Sequence, residues 1–220
     1  MNALDPAALA DCALAFEAKL DRLAEDLHAD WQREEDAPWP LLRRLPEGPA
    51  RRHAARRLFA SRCGGPPALP RLLDSAGRWA LLARPALTRR LCALAIVRRP
   101  GVLRCCIEKP ARQGLRAALG EWFERIEQTA EGGRSVSARV AHWSPMHWAC
   151  VGYWDWVGQL QADDGALRRL VRLSLPRGLL GTAKAREAAP AELAAGAALA
   201  WIEQQEQEQE DPAMEDDTPC

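Results

Sequence analysis

The sequence predicts an all-α protein: a compact multi-helix orthogonal bundle of short, proline-punctuated helices with a disordered acidic C-terminal tail. Three observations lead there. Apolar residues recur at spacings of three and four along most of the chain. Prolines stand where these stripes begin, at Pro6, Pro70, Pro85, Pro100, Pro110 and Pro145, in the first helical turn, where a missing N–H costs no intrahelical bond. No segment alternates apolar and polar residues for long enough to read as a strand.

Asp5-Pro6 marks the first helix, with Asp as cap and Pro in the first turn. Leu9, Cys12, Phe16, Leu20, Leu23, Leu27 and Trp31 then share one face, so a single amphipathic helix is expected to about residue 35. Residues 36–50 hold Pro38, Pro40, Pro46 and Pro49 and read as mostly irregular. A short basic helix follows at about 50–62, with Arg51, Arg52, Arg56 and Arg57 around Leu58 and Phe59. Gly64-Gly65-Pro66-Pro67 breaks the chain. The expected organisation is an N-terminal helical segment at 1–62, a Gly/Pro linker at 63–70, a main helical domain at 71–202 and the tail at 203–220.

Within the main domain, Leu87, Leu91, Leu94 and Ala95 form a buried stripe that Arg98 and Arg99 close, where cations suit a helix C-terminus. The motif Arg84-Pro85…Arg89 recurs fifteen residues later as Arg99-Pro100…Arg104, a spacing of one helix and its turn, too short for a solenoid repeat. Leu115, Leu119, Trp122, Phe123 and Ile126 continue the core. Ser144-Pro145 starts a further helix in which His147, Cys150, Val151, Trp154 and Val157 share a face while Trp148 and Trp156 point elsewhere. Residues 163–175 form a helix capped by Asp163 or Asp164, with Leu167, Leu170 and Val171 inward. A last helix at about 190–207 carries Leu193, Ala197 and Trp201. Beyond it the acidic residues are too polar to offset the entropy of ordering.

The formal net charge is zero, but the charges are sorted. Residues 1–36 carry net −7, residues 37–120 net +15, residues 121–186 net +2 and residues 187–220 net −10. A solvated surface calls for interspersed signs, so sorting points to docking onto charged partners, onto the chain itself, or both. Arginine outnumbers lysine heavily, with lysine only at positions 19, 109 and 184. Arginine suits bidentate pairing with carboxylates, although a GC-rich genome gives the same bias.

No reacting constellation accompanies the charge pattern, so the sequence is read as a non-enzyme with no cofactor and no metal. His142 and His147 lie five apart across Pro145, with Cys150 three further on, which is not a ligand spacing. Cys105-Cys106 beside Arg104 has the charge for a low-pKa thiol but reads more simply as two helix residues. Gly64-Gly65 lacks the Lys-Ser/Thr of a phosphate loop. Seven irregularly spaced cysteines suggest a reducing compartment. The N-terminus lacks the pattern of a signal peptide, and the apolar run Leu91–Val97 is far too short to span a membrane. A soluble, cytoplasmic chain is expected.

The candidate partner-binding residues are Arg89, Arg90, Arg98, Arg99 and Arg104, which would meet an acidic partner, and Trp148 and Trp156 as aromatic anchors. The alternative is a nucleic-acid-binding regulator using the basic region 37–120, though no helix-turn-helix or aromatic RNA platform stands in it. A third reading has the acidic tail shielding the basic middle in self-association.

The segment Leu91-Cys92-Ala93-Leu94-Ala95-Ile96-Val97-Arg98-Arg99-Pro100-Gly101-Val102-Leu103-Arg104-Cys105-Cys106-Ile107-Glu108 resembles the SctK family. These are cytosolic accessory proteins of bacterial type III secretion systems, and the likeness is to the plant-pathogen-type branch. It extends more loosely through Leu115–Phe123, Gly152-Tyr153-Trp154-Asp155-Trp156 and Leu170–Pro176, about half the chain. The resemblance implies a helical, non-catalytic adaptor of the injectisome sorting platform, with a role in protein transport and virulence. Such an adaptor links the cytoplasmic domain of the inner-membrane ring protein to the pod protein. It would be cytoplasmic, peripheral to the inner membrane when assembled, with no membrane insertion and no nucleic acid.

Overall fold

Each proline that announces a helix start in the sequence stands at a helix start in the computed structural model, which describes residues 5–33, 38–129, 133–180 and 189–210. The N-terminal elements are α1 (Pro6–Asp21), α2 (Leu23–Asp26), a 3₁₀ turn (Ala29–Trp31), α3 (Trp39–Arg44) and α4 (Pro49–Cys63). Then come α5 (Leu69–Leu73), α6 (Ser75–Trp79), α7 (Arg84–Val97), α8 (Gly101–Cys105), α9 (Lys109–Leu119) and α10 (Trp122–Thr129). The C-terminal elements are α11 (Ala138–Ala141), α12 (Pro145–Val157), α13 (Gly165–Leu173), α14 (Arg177–Leu180) and α15 (Ala195–Glu210). There is no strand among the described residues; the protein is a compact all-α bundle.

Helix α7 is the axis of the bundle. From Leu91 to Val97 every side chain is buried, so the one-sided stripe read from the sequence becomes a helix enclosed on all sides. Helices α9, α10, α12 and α15 pack on it, α12 most extensively. A Cβ built on Gly152 of α12 would stand 1.8 Å from the carbonyl oxygen of Leu91, so only glycine permits this approach of the two backbones. Helix α12 is itself buried along Trp148, Ala149, Cys150, Val151, Gly152 and Tyr153.

Both ends of α7 are held by buried charges from elsewhere in the chain. At its start the helix has no cap of its own. Asp26, the last residue of α2, supplies one: its Oδ1 accepts from the N–H of Arg84 at 2.8 Å. Its Oδ2 takes the ammonium of buried Lys19 at 2.6 Å, and Lys19 also donates to Leu82 O at 2.6 Å. Burial lowers the Lys19 pKa, which the Asp26 charge opposes. A carboxylate is favourable at this end of a helix dipole.

That bridge explains why the expected helix over 6–35 is broken. Lys19 and Asp26 are seven residues apart, about 10 Å in a straight helix. The chain bends at Arg22 and again at Leu27, which is extended. There the N–H of His28 donates to Leu173 O at 2.9 Å, tying the N-terminal segment to α13. Residues 36–50 also depart from the irregular reading: Trp39-Pro40 opens the short helix α3, which buries Trp39 and Leu42.

The C-terminal helix starts later and ends later than expected. Its buried apolar residues are Ala195, Ala198, Leu199 and Ile202, with Gln205 buried beside them, whereas Leu193 and Ala197 lie exposed. It remains helical through Glu203–Glu210, because its polar residues find partners. Glu203 accepts from the Ser75 hydroxyl, and Glu206 lies 2.6 Å from Arg90. The rest of the expected tail, 211–220, lies outside the described residues.

Gly152→Ala drives a methyl group into the α7 backbone and should destabilise the fold by about 3 kcal/mol or more in urea unfolding. Gly165→Ala, at the start of α13 where a Cβ meets nothing within 4 Å, should change stability by less than about 1 kcal/mol.

Candidate interaction surface

The candidate arginines stand on α7, the turn after it, and α8, and the fold gives most of them partners within the chain. Arg99 is 2% exposed. Its guanidinium donates to both carboxylate oxygens of Asp155 at 2.6 and 3.3 Å, to Ala95 O at 3.1 Å and to Ala189 O at 2.6 Å. Arg98 reaches the same carboxylate at 2.5 Å and donates to Leu193 O at 2.9 Å. Asp155 is buried in α12, so two guanidinium groups close on one carboxylate between α7 and α12. Arg89 donates to Leu119 O at 3.0 Å and lies 4.3 Å over the Trp122 ring. Arg90 pairs with Glu206 and faces Trp79 at 5.8 Å. Arg104 is the exposed member of the set, and its guanidinium Nη2 donates to Gly133 O.

The tryptophans require a correction. Trp148 and Trp156, expected off the buried stripe, are fully enclosed, and Trp154, expected within it, is half-buried. A stripe marks the inner face only where a helix has an outer face, and α12 is covered on most of its circumference. Trp148 packs against Trp143 with ring centroids 5.3 Å apart, and Trp156 donates to Ala76 O at 2.8 Å. These two rings hold the core together and are not surface anchors in this fold.

The sorted charges of the sequence largely meet each other. The acidic face of α1 and α2 lies along basic α4: Glu17 pairs with Arg56, Glu25 with Arg51, and Asp21 with Arg52 at 4.0 Å. Acidic α15 lies over α7 and α10, where Arg125 reaches Gln205 at 2.6 Å and Glu208 at 3.0 Å besides the Arg90–Glu206 pair. Such exposed and half-exposed pairs are each worth up to about 1 kcal/mol. Their collective effect is to orient the acidic helices on the basic ones. The expected cationic waist is therefore substantially covered by the chain's own acidic flanks.

Further polar groups were not singled out as functional in the sequence. Asp164 stands at the N-cap of α13, as read, but its side chain makes no cap bond: it accepts from Gln161 N–H at 2.8 Å and takes Arg71 bidentately at 3.0 and 2.6 Å. The Arg71 hydrogen bonds hold its carboxyl below the usual carboxylate range. Burial pushes the Cys92 and Cys150 thiols up to about 12 and Cys63 up to about 11. Cys105 moves the other way, chiefly because the N–H of Val136 donates to its sulfur at 3.4 Å. His142 lies 3.1 Å from Glu108, and His147 bonds Ser144 at 2.8 Å, so each has a partner of its own. No cluster of three His, Cys, Asp or Glu side chains is placed to hold a metal among the described residues. No helix among them is long and apolar enough to cross a membrane. Asp155 was the legible but missed residue: a single acid inside the tryptophan-rich Tyr153-Trp154-Asp155-Trp156 run needs a buried cation.

A family model described as bacterial type III secretion protein (HrpB4) matches residues 6–204. No curated protein and no solved structure matches the chain.

Asp155→Ala leaves two guanidinium groups against α12 without their carboxylate, and should cost about 3–5 kcal/mol in chemical unfolding. Glu206→Ala, at a half-exposed pair, should cost less than about 1 kcal/mol. Because the folded-state pKa of Asp164 is depressed, its contribution is complete above the unfolded value and fades as pH falls through the folded one. Asp164→Asn should thus flatten the acid limb of the stability–pH profile below about pH 4. In native protein near pH 7.5, iodoacetamide should alkylate Cys105 well before Cys63, Cys92 and Cys150, as read by peptide mass spectrometry.

Proposed function

The chain belongs to the HrpB4 family of bacterial type III secretion proteins, which is the SctK family, and from that premise we propose that it is a non-enzymatic adaptor of the sorting platform. In this reading it links the cytoplasmic domain of the inner-membrane ring protein to the pod protein, on the cytoplasmic side and peripheral to the membrane. The observation that carries the proposal is the family match over residues 6–204.

The fold supports it physically. A bundle tied at both ends of α7 by buried ion pairs is a rigid spacer. An adaptor that holds two partners at a set distance needs rigidity, since a flexible spacer lets the linked sites wander. Of the arginines first assigned to partner binding, Arg104 faces solvent, whereas Arg98 and Arg99 are engaged with Asp155. Charge reversal at Arg89 or Arg90 would disturb contacts to Leu119, Trp122 and Glu206 before it disturbed a partner. The nucleic-acid reading loses its main support, because much of the basic region 37–120 pairs with acids of this chain.

Co-expression with the ring protein's cytoplasmic domain and the pod protein tests the reading. Size-exclusion chromatography with light scattering should give a ternary complex, and ring and pod should elute apart when this chain is omitted. Failure to bind either partner, or ring–pod association without this chain, would overturn it.

A further inference from the structure

We propose that the surface around Ile107 is a docking site for an acidic helix of a partner protein, anchored by an apolar side chain. The proposal rests on the adaptor reading above and adds the surface and the chemistry of what it takes.

Ile107 follows α8 and is 78% exposed, more than any other large hydrophobic residue described. Isolated exposure of one apolar residue is ordinary. Here Arg104 and Lys109 flank it in the chain, and Arg134 and Arg139 stand on the segment that packs against α8. Arg104, Lys109, Arg134 and Arg139 are all exposed, and none has a carboxylate within 4.0 Å of its cationic group among the described residues. Their proximity follows from backbone geometry. The segment 133–136 lies directly on α8: a Cβ on Gly101 would stand 1.8 Å from Arg134 O, and one on Gly133 would stand 2.2 Å from Gly101 N. Arg104 bonds Gly133 O, the Val136 N–H donates to Cys105 Sγ, and Glu108 N–H donates to His142 Nε2 at 3.3 Å. Helices α8 and α11 are also in contact, which brings Arg139 to the same seam. The patch is thus locked by main-chain packing and is preorganised, so a ligand need not order it.

The molecule itself shows what covers such a surface. Twice in this fold a basic helix face is covered by an acidic helix that buries apolar residues beside its ion pairs. Helix α1 buries Phe16 and Leu20 and pairs Glu17 with Arg56; α15 buries Leu199 and Ile202 and pairs Glu206 with Arg90. At the Ile107 surface no acidic helix of the described chain performs that role. The matching occupant has carboxylates for the four cations and an apolar residue for Ile107. A nucleic acid fits less well. Every Phe, Tyr and Trp among the described residues is buried or half-buried, so no open ring is offered to a base, and Glu108 and Glu192 at the patch call for an occupant with a few carboxylates set against the cations rather than a continuous run of phosphates.

Binding is measured by calorimetry on the full chain against the purified pod protein and, separately, the ring protein's cytoplasmic domain. Two variants carry the test. Ile107→Asp removes the anchor, and Lys109→Glu with Arg139→Glu reverses charge at side chains that make no hydrogen bond or ion pair among the described residues. Thermal melting should stay at the wild-type value for both, so lost binding cannot be lost folding. Each variant should weaken binding to one of the two partners at least tenfold, and the double Glu variant should also flatten the salt dependence. A control reversal on exposed α4, Arg57→Glu with Arg62→Glu, should leave affinity within threefold. Wild-type affinity in both test variants, or an equal loss in the control, overturns the proposal while leaving the adaptor reading intact. If the wild-type chain binds neither partner, the adaptor reading fails and this inference with it. If a short random-sequence DNA duplex binds, and only that binding is lost in the double Glu variant, the surface is a nucleic-acid site and the proposal is wrong.

Discussion

The crossing of α7 and α12 sets the conditions for everything else in this protein. Gly152 lets the two backbones touch at Leu91, and three residues later Asp155 receives Arg98 and Arg99. The two features depend on each other. Without close approach the carboxylate and guanidinium groups would be partly hydrated and weakly coupled. Without the clamp, the approach would leave a charge buried beside apolar side chains, which costs several kcal/mol. A well-packed apolar replacement can be as stable as a buried ion pair. What the clamp adds is register: one carboxylate answers two adjacent arginines and leaves α12 a single sliding position along α7.

The opposite end of α7 obeys the same logic with signs exchanged. Asp26 sits at the amino end, where the helix dipole favours a carboxylate, and Lys19 neutralises it. Because Asp26 belongs to α2, capping the central helix also fixes the path of the N-terminal segment. The buried side chains of that segment, Phe16, Leu20, Leu23 and Leu27, join the same cluster as those of α7 and α12. The outer charge pairs then follow. Once α1 and α15 are seated by their apolar faces, their acids fall opposite the arginines of α4, α7 and α10.

How much of this the sequence discloses depends on whether the cause is local. Helix starts are local events. Asp5 accepting from Ala7 N–H at 3.0 Å and Ser144 accepting from His147 N–H at 3.3 Å are written in neighbouring residues, and both read correctly. The bend at Arg22 is not local. Nothing between residues 22 and 28 forbids helix; Leu82, Arg84 and Leu173 impose the break from far along the chain. The same distance hides the order of α15. Composition alone marks Glu203–Glu210 as unable to fold, because Arg90, Arg125 and Ser75 lie 75 or more positions away. Trp148 and Trp156 misread for another reason: periodicity assumes a solvent face that α12 scarcely has. Of the candidate site, Arg104 was legible as an exposed cation, while Ile107 was passed over because a lone apolar residue in a turn carries no periodic signal.

The Ile107 surface and the Asp155 clamp are neighbours in the chain, and this has a mechanical consequence. Arg99 ends the clamp, Pro100 turns the chain, and Gly101 begins α8, whose last turn presents Arg104. Main-chain contact at Gly101 and Gly133 leaves no slack between them. A partner seated on Ile107 therefore bears on the most deeply buried part of the molecule through a short, stiff connection. Docking there adds little ordering cost to association, and the orientation of the partner is passed to the whole bundle and not absorbed by a loop. If the chain acts as the adaptor proposed above, a contact on a surface rooted beside its central ion pair fixes the geometry of two larger bodies better than a contact on a surface held only by exposed ion pairs, each worth up to about 1 kcal/mol.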